Sequence, residues 1–105
     1  VSQGLGHALL EAVRMDDEGQ PLTGSYMDYT MPRADTMPQI EVINLPPLPG
    51  EDFAPRGIGE VGMSGTPAAF FNAVTAALAL HGASLNTLPA TPERVWQALR
   101  TAKAR

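Results

Sequence analysis

The stretch Gly57-Ile58-Gly59-Glu60-Val61-Gly62-Met63-Ser64-Gly65-Thr66-Pro67 sets four glycines ahead of a helix start signal. Glycine at this density interrupts regular structure, whereas Thr66 followed by Pro67 supplies an N-cap and a first-turn proline at the head of an apolar segment. A helix of about 15 residues is predicted from Thr66, with Gly82 as its stop. Ala69, Phe70, Ala73, Val74, Ala77, Leu78 and Leu80 give it an apolar surface wider than one face, so cover on both sides is expected.

Working outward, Thr91 and Pro92 open a terminal helix. Its expected buried stripe is Val95, Trp96, Leu99 and Ala102, with Arg94, Arg100, Lys103 and Arg105 in water. Upstream, Gln39 to Leu45 reads as a strand because Ile40, Val42 and Ile43 are β-branched, and Pro46, Pro47 and Pro49 stop it. The chain opens with Leu5, Ala8, Leu9, Ala12 and Val13 at helical spacing, which predicts a helix from about Ser2 to Met15 that ends by Gly19. Between them, Gly24, Pro32 and Pro38 among Tyr26, Met27, Tyr29 and Met31 point to turns and short extended pieces, with the aromatic and Met side chains as packing. The expected fold is α+β, about three helices packed with a few short strands and long loops, as one domain over 1–105.

Composition limits the partners. With 105 residues there is room for one core, and ten Gly plus ten Pro commit much of the chain to loops. The absence of cysteine excludes disulfides, thiolate-held zinc and cysteine-ligated iron–sulfur clusters from this sequence. A net charge of −4, with basic residues scattered singly until the last six positions, argues against nucleic acid as a partner. The apolar run from Pro67 to Leu80 falls short of a membrane span, so no membrane association is expected. The first residues, Val1-Ser2-Gln3-Gly4, have no initiating Met, no basic region and no cap for the first helix, which suggests a piece cut from something longer.

Glu60 is the single carboxylate of the Gly57–Gly62 loop, where glycines would let backbone approach a ligand closely. A bare Gly-x-Gly-Glu is also what a surface loop with a solvated Glu looks like. It is not a dinucleotide fingerprint, because Ala54-Pro55-Arg56 and a proline-rich stretch stand where that motif needs a strand. His7 and His81 fall on different predicted helices without a third ligand at useful spacing, so no metal site is assigned to the side chains. Ser2 and Ser64 have no paired base that spacing identifies.

Several blocks then occur in one order: Gln3-Gly4-Leu5-Gly6-His7-Ala8-Leu9-Leu10-Glu11, Leu22-Thr23-Gly24-Ser25-Tyr26-Met27-Asp28-Tyr29, Met31-Pro32-Arg33-Ala34-Asp35 and Met37-Pro38. Arg56-Gly57-Ile58-Gly59-Glu60-Val61-Gly62, Asn72-Ala73-Val74 and Pro89-Ala90-Thr91-Pro92-Glu93-Arg94-Val95-Trp96 follow. Together they resemble the C-terminal end of the molybdopterin-binding large subunit of the xanthine dehydrogenase, aldehyde oxidase and aerobic carbon monoxide dehydrogenase family. Arg56 stands where many relatives have Lys, and Pro49-Gly50-Glu51-Asp52-Phe53 replaces a commoner Asn-Pro-rich stretch. Both departures bear on substrate class.

The resemblance implies a single C-terminal molybdopterin-binding subdomain, truncated on its N-terminal side, of an enzyme that oxidises an aldehyde, an N-heterocycle or carbon monoxide with a water-derived oxygen. It implies Glu60 as active-site base and Gln3, Gly57 and Gly59 as cofactor-binding residues. The cofactor would be molybdopterin carrying molybdenum, often in its cytosine dinucleotide form, in the complete enzyme, with none expected on the isolated piece. The implied partners are the remainder of the molybdenum subunit and iron–sulfur and flavin domains or subunits; a cytoplasmic location is expected, with the periplasm left open. The alternative is a stand-alone, non-enzymatic assembly module that exposes a large apolar patch and pairs as a homodimer.

Overall fold

The structure, a computed structural model, describes residues 1–50, 55 and 57–104. The sequence departures at Arg56 and at 51–53, and the charge of Arg105, lie outside the described residues. Four α-helices occur among the described residues: α1 Ser2–Leu9, α2 Val61–Ser64, α3 Thr66–Ala79 and α4 Pro92–Lys103, with one 3-10 turn at Ala34–Thr36. The few short strands expected do not form among these residues; a lone antiparallel bridge joins Met15 to Pro21. The fold is mostly helical, and the α+β expectation is corrected to that extent.

α1 is shorter than the Ser2 to Met15 helix that spacing predicts. At its end the Leu10 and Glu11 amides both donate to the Gly6 carbonyl, at 2.9 and 2.8 Å, and the chain turns back on itself. Residues 14–22 then make a tight hairpin. Leu22 N–H donates to Arg14 O at 2.8 Å, and the Asp16 carboxylate accepts from the Glu18 and Gln20 amides at 3.0 and 2.7 Å. Asp16 thus competes with helix for the backbone donors around it, which is why a polar exit becomes a turn.

α3 begins one residue from its predicted cap. Gly65 is the N-cap, and the Thr66 hydroxyl donates back to the Gly62 carbonyl, linking α2 to α3. Its end is as expected: Ala83 N–H bonds Leu78 O, Gly82 N–H bonds Ala79 O, both at 3.0 Å, and Gly82 takes φ 67°. This is a Schellman arrangement, which needs a left-handed residue and finds glycine. Cover on both sides of α3 is not provided by the described residues: Leu78 alone is buried along it, and Leu80 is 86% exposed. In α4 the Thr91 hydroxyl accepts from Arg94 N–H, as a cap should. Trp96, expected in the buried stripe, is 55% exposed with the Arg100 guanidinium 4.8 Å above its ring. Arg94, expected in water, is half-buried and donates to the Leu88 and Pro89 carbonyls at 2.9 and 3.0 Å.

The buried core is small: Leu5 and Ala8 of α1, Leu78 of α3, and Ala83 and Ala90 of the α3–α4 connection. Ala90 N–H donates to Ala8 O at 2.6 Å, tying that connection to α1. The radius of gyration is 18.1 Å, well above the roughly 13 Å of a compact chain of this length. Gln39 to Leu45 explains part of the excess. It runs as unpaired chain with Val42 74% and Leu45 85% exposed, because no other described segment offers it a strand edge.

Candidate functional site

Gln3 lies in the first turn of α1, exposed. Glu60 is the N-cap of α2, also exposed. Its carbonyl is well anchored, accepting from the Met63 and Ser64 amides at 2.9 and 3.1 Å and from the Ser64 hydroxyl at 3.1 Å. Its carboxylate makes no hydrogen bond to a described residue. The backbone of Glu60 is therefore fixed while its acid group faces outward.

Two close approaches bring these residues to one end of the molecule. A Cβ on Gly62 would stand 3.1 Å from the Val1 nitrogen, so the start of α2 lies against the start of α1. A Cβ on Gly4 would stand 2.6 Å from Thr66 Cβ and 3.1 Å from Pro67 Cδ, so the first turn of α1 also lies against the first turn of α3. The segments that carry Gln3 and Glu60, 57 positions apart in sequence, are thus neighbours in the fold. The N-terminal ends of α1 and α3 add partial positive charge there, which favours an anionic ligand.

Gly57 and Gly59 meet nothing within 4 Å at the place where a Cβ would stand. Among the described residues the loop is open on that side. No group of three His, Cys, Asp or Glu among the described residues is placed to hold a metal ion.

His81 lies away from these segments, beside Val74, Leu78, Val95 and Leu99 in an apolar groove between α3 and α4. Tyr26 and Met27, read from sequence as packing residues, are 85% and 93% exposed. Tyr29 is the exception in that segment. Its hydroxyl donates to Glu11 Oε2 at 2.6 Å, and His7 Nε2 stands 3.7 Å from the same oxygen. Sharing its proton with the Glu11 carboxylate, and partial burial, raise the Tyr29 pKa above the ordinary phenol value. Sequence reading missed this cluster, although His7 and Glu11 at i and i+4 were its available signal.

Residues 1–38 match the family model of the molybdopterin cofactor-binding domain. Two subunits of Paenarthrobacter nicotinovorans are similar over most of the chain. One is the gamma subunit of the 6-hydroxypseudooxynicotine dehydrogenase complex, 38% identical over 90% of this chain, and the other the nicotine 6-hydroxylase large subunit, 39% identical over 95%. The crystal structure of quinoline 2-oxidoreductase from Pseudomonas putida 86 superposes with a TM-score of 0.81 at 38% identity, covering 94% of this chain. The chain spans only 12 to 13% of the length of these proteins. No helix among the described residues is long and apolar enough to cross a membrane. With the order of its sequence blocks, its fold and its relatives in agreement, the chain is similar to a short stretch of the molybdenum-binding large subunits of nicotine 6-hydroxylase, carbon monoxide dehydrogenase and xanthine dehydrogenase.

Proposed function

We propose that this chain forms one wall of the active site of a molybdenum hydroxylase, with Glu60 as the base and Gln3, Gly57 and Gly59 against the pterin cofactor. The observation that supports it most is the close approach of two segments: the starts of α1 and α2 meet at Val1 and Gly62, which brings the turn that carries Gln3 near the loop that carries Glu60. When bound, the molybdenum of the cofactor supplies two-electron oxidation of an electron-poor carbon with oxygen drawn from water. Gln3 can donate through its amide NH2 and accept through its carbonyl, which suits a heterocyclic cofactor with both kinds of group. Glu60 takes up a proton at its carboxylate and later releases it. Its fixed backbone sets where the side chain starts, and contacts from the rest of the active site would have to hold the carboxylate oxygen itself, since a positioned base gains over a mobile one.

An N-heteroaromatic ring is the proposed substrate class, since the relatives at 38 to 39% identity are named for nicotine, a nicotine derivative and quinoline. Such rings carry electron-poor carbons beside nitrogen. Glu60 is exposed here, so the water exclusion that the reaction needs must come from other parts of the subunit. On this reading the 105 residues alone are inert, and electrons leave through iron–sulfur and flavin partners, since this sequence has no cysteine to hold a cluster.

The test is Glu60→Gln in the cofactor-loaded protein. Gln keeps the size and hydrogen bonding of Glu but cannot take the proton, so turnover of an N-heterocycle should fall about 100-fold to 10,000-fold at unchanged molybdenum content. Turnover within about threefold of the parent at equal loading removes Glu60 from the mechanism.

A further inference from the structure

The Glu11 carboxylate does more than end a helix. It lies where the chain reverses after α1, folded back over Gly6, and a Cβ at Gly6 would stand 2.9 Å from Glu11 Cδ and 2.9 Å from Pro32 Cδ. One half-buried carboxylate thereby meets two parts of the chain: α1, at Gly6 and His7, and Tyr29 eighteen residues on. Tyr29 is itself fixed, because its amide donates to Ser25 O at 2.8 Å in a turn closed by the Ser25 hydroxyl on Asp28 Oδ2 at 2.8 Å. Gln3 stands four residues before His7, so both lie on one face of α1. α1 has only eight residues and no side-chain cap at its start. Its rotation about its own axis is thus set by what grips its sides and its far end.

We propose that Glu11, held by Tyr29, is a positioning residue that fixes the rotation of α1 and so aims the Gln3 amide at the cofactor. This rests on the reading of Gln3 as a cofactor-binding residue. Glu11 touches no ligand on this account and acts wholly through α1. A carboxylate suits the task because it accepts from Tyr29 while lying over Gly6, and its short reach holds the helix exit against the turn at 25–29.

The experiment is a double-substitution cycle in the cofactor-loaded protein, read as molybdenum content per protein and as the rate of cofactor loss on dilution, with thermal unfolding alongside. Gln3→Ala and Glu11→Ala should each raise the rate of cofactor loss several-fold. The double variant should lose cofactor no faster than Gln3→Ala, because Glu11 acts through Gln3. Glu11→Gln, whose amide carbonyl still accepts from Tyr29, should restore retention to within about twofold of the parent. Where Glu11→Ala fails to fold, Tyr29→Phe replaces it in the cycle, with the same expected non-additivity. Full retention in Gln3→Ala overturns the reading of Gln3, and the proposal with it. Loss in Gln3→Ala with none in Glu11→Ala, or losses that multiply in the double variant, overturns the positioning role alone and leaves Gln3 in place.

Discussion

Two Gly-x-Gly segments sit at the same end of this molecule and are used in opposite ways. Gly4 and Gly6 of α1 are buried, and a Cβ at either would run into Thr66, Glu11 or Pro32. Gly57 and Gly59 are exposed and meet nothing within 4 Å. The first pair is explained inside the chain, since its missing side chains let a helix lie directly on its neighbours. The second pair meets no partner among the described residues, and its open side is where the proposed cofactor contact can be tested. A glycine motif in a sequence is thus evidence of close approach, but only the structure says whether the approaching body is the protein itself.

The comparison predicts its largest stability effect at Gly4. Alanine there gains helix propensity of about 1 kcal/mol. Against this, the new Cβ would lie 2.6 Å from Thr66 Cβ, an atom fixed to backbone, and 2.8 Å from its Cγ2. Thr66 is β-branched and stiff at χ1, so α1 must move off α3, and overpacking of this kind costs about 1–3 kcal/mol. Gly4→Ala should therefore lower Tm by several degrees in thermal unfolding. An unchanged or raised Tm would mean that α1 and α3 do not meet as closely as described.

A smaller effect tests the polar hold on the packed side. The Tyr29 pKa is raised in the folded state because the neutral hydroxyl donates to Glu11. A raised pKa means that the contribution to stability is fully present below the unfolded phenol value, about 10, and is lost as pH rises through the higher folded value. The Tm gap between the protein and Tyr29→Phe should hold steady from about pH 7 to 9 and close above about pH 10. A gap independent of pH to about 11 would show that the phenol does not hold its proton against Glu11.

Local signals were legible where the chemistry is local. Thr91-Pro92 caps α4 and Gly82 ends α3 as their residue types demand, because a cap or a left-handed residue depends on its immediate neighbours. Signals that depend on the rest of a protein misled. Ile40, Val42 and Ile43 have strand character but no edge to join among the described residues, and Trp96 and Leu80 have core character but no cover. α1 stopped early because Gly6 accepts two amides at once and releases the chain, which a count of apolar spacing does not register. At the site, Gln3 and Glu60 were named from a resemblance. The nearness of their two segments emerges from the Gly4 and Gly62 approaches, and the Glu11–Tyr29 hydrogen bond joins an expected helix to an expected loop that no spacing rule connects.

The smallest stability effect is expected at Gly59, and it carries the other half of the comparison. The glycine has no backbone conformation that excludes a side chain and nothing stands within 4 Å of its missing Cβ, so Gly59→Ala meets neither strain nor clash in this chain. Alanine also has less freedom than glycine in the unfolded state, so stability should change by less than about 0.5 kcal/mol, or rise slightly. A methyl group there would nevertheless project into the space that a cofactor lying against the loop requires. Molybdenum content per protein should therefore fall in Gly59→Ala while Tm of the cofactor-free protein stays unchanged, the reverse of the ordering at Gly4. Full cofactor content would place the ligand elsewhere, and a large drop in Tm would show that the open side of the loop is covered by the protein itself.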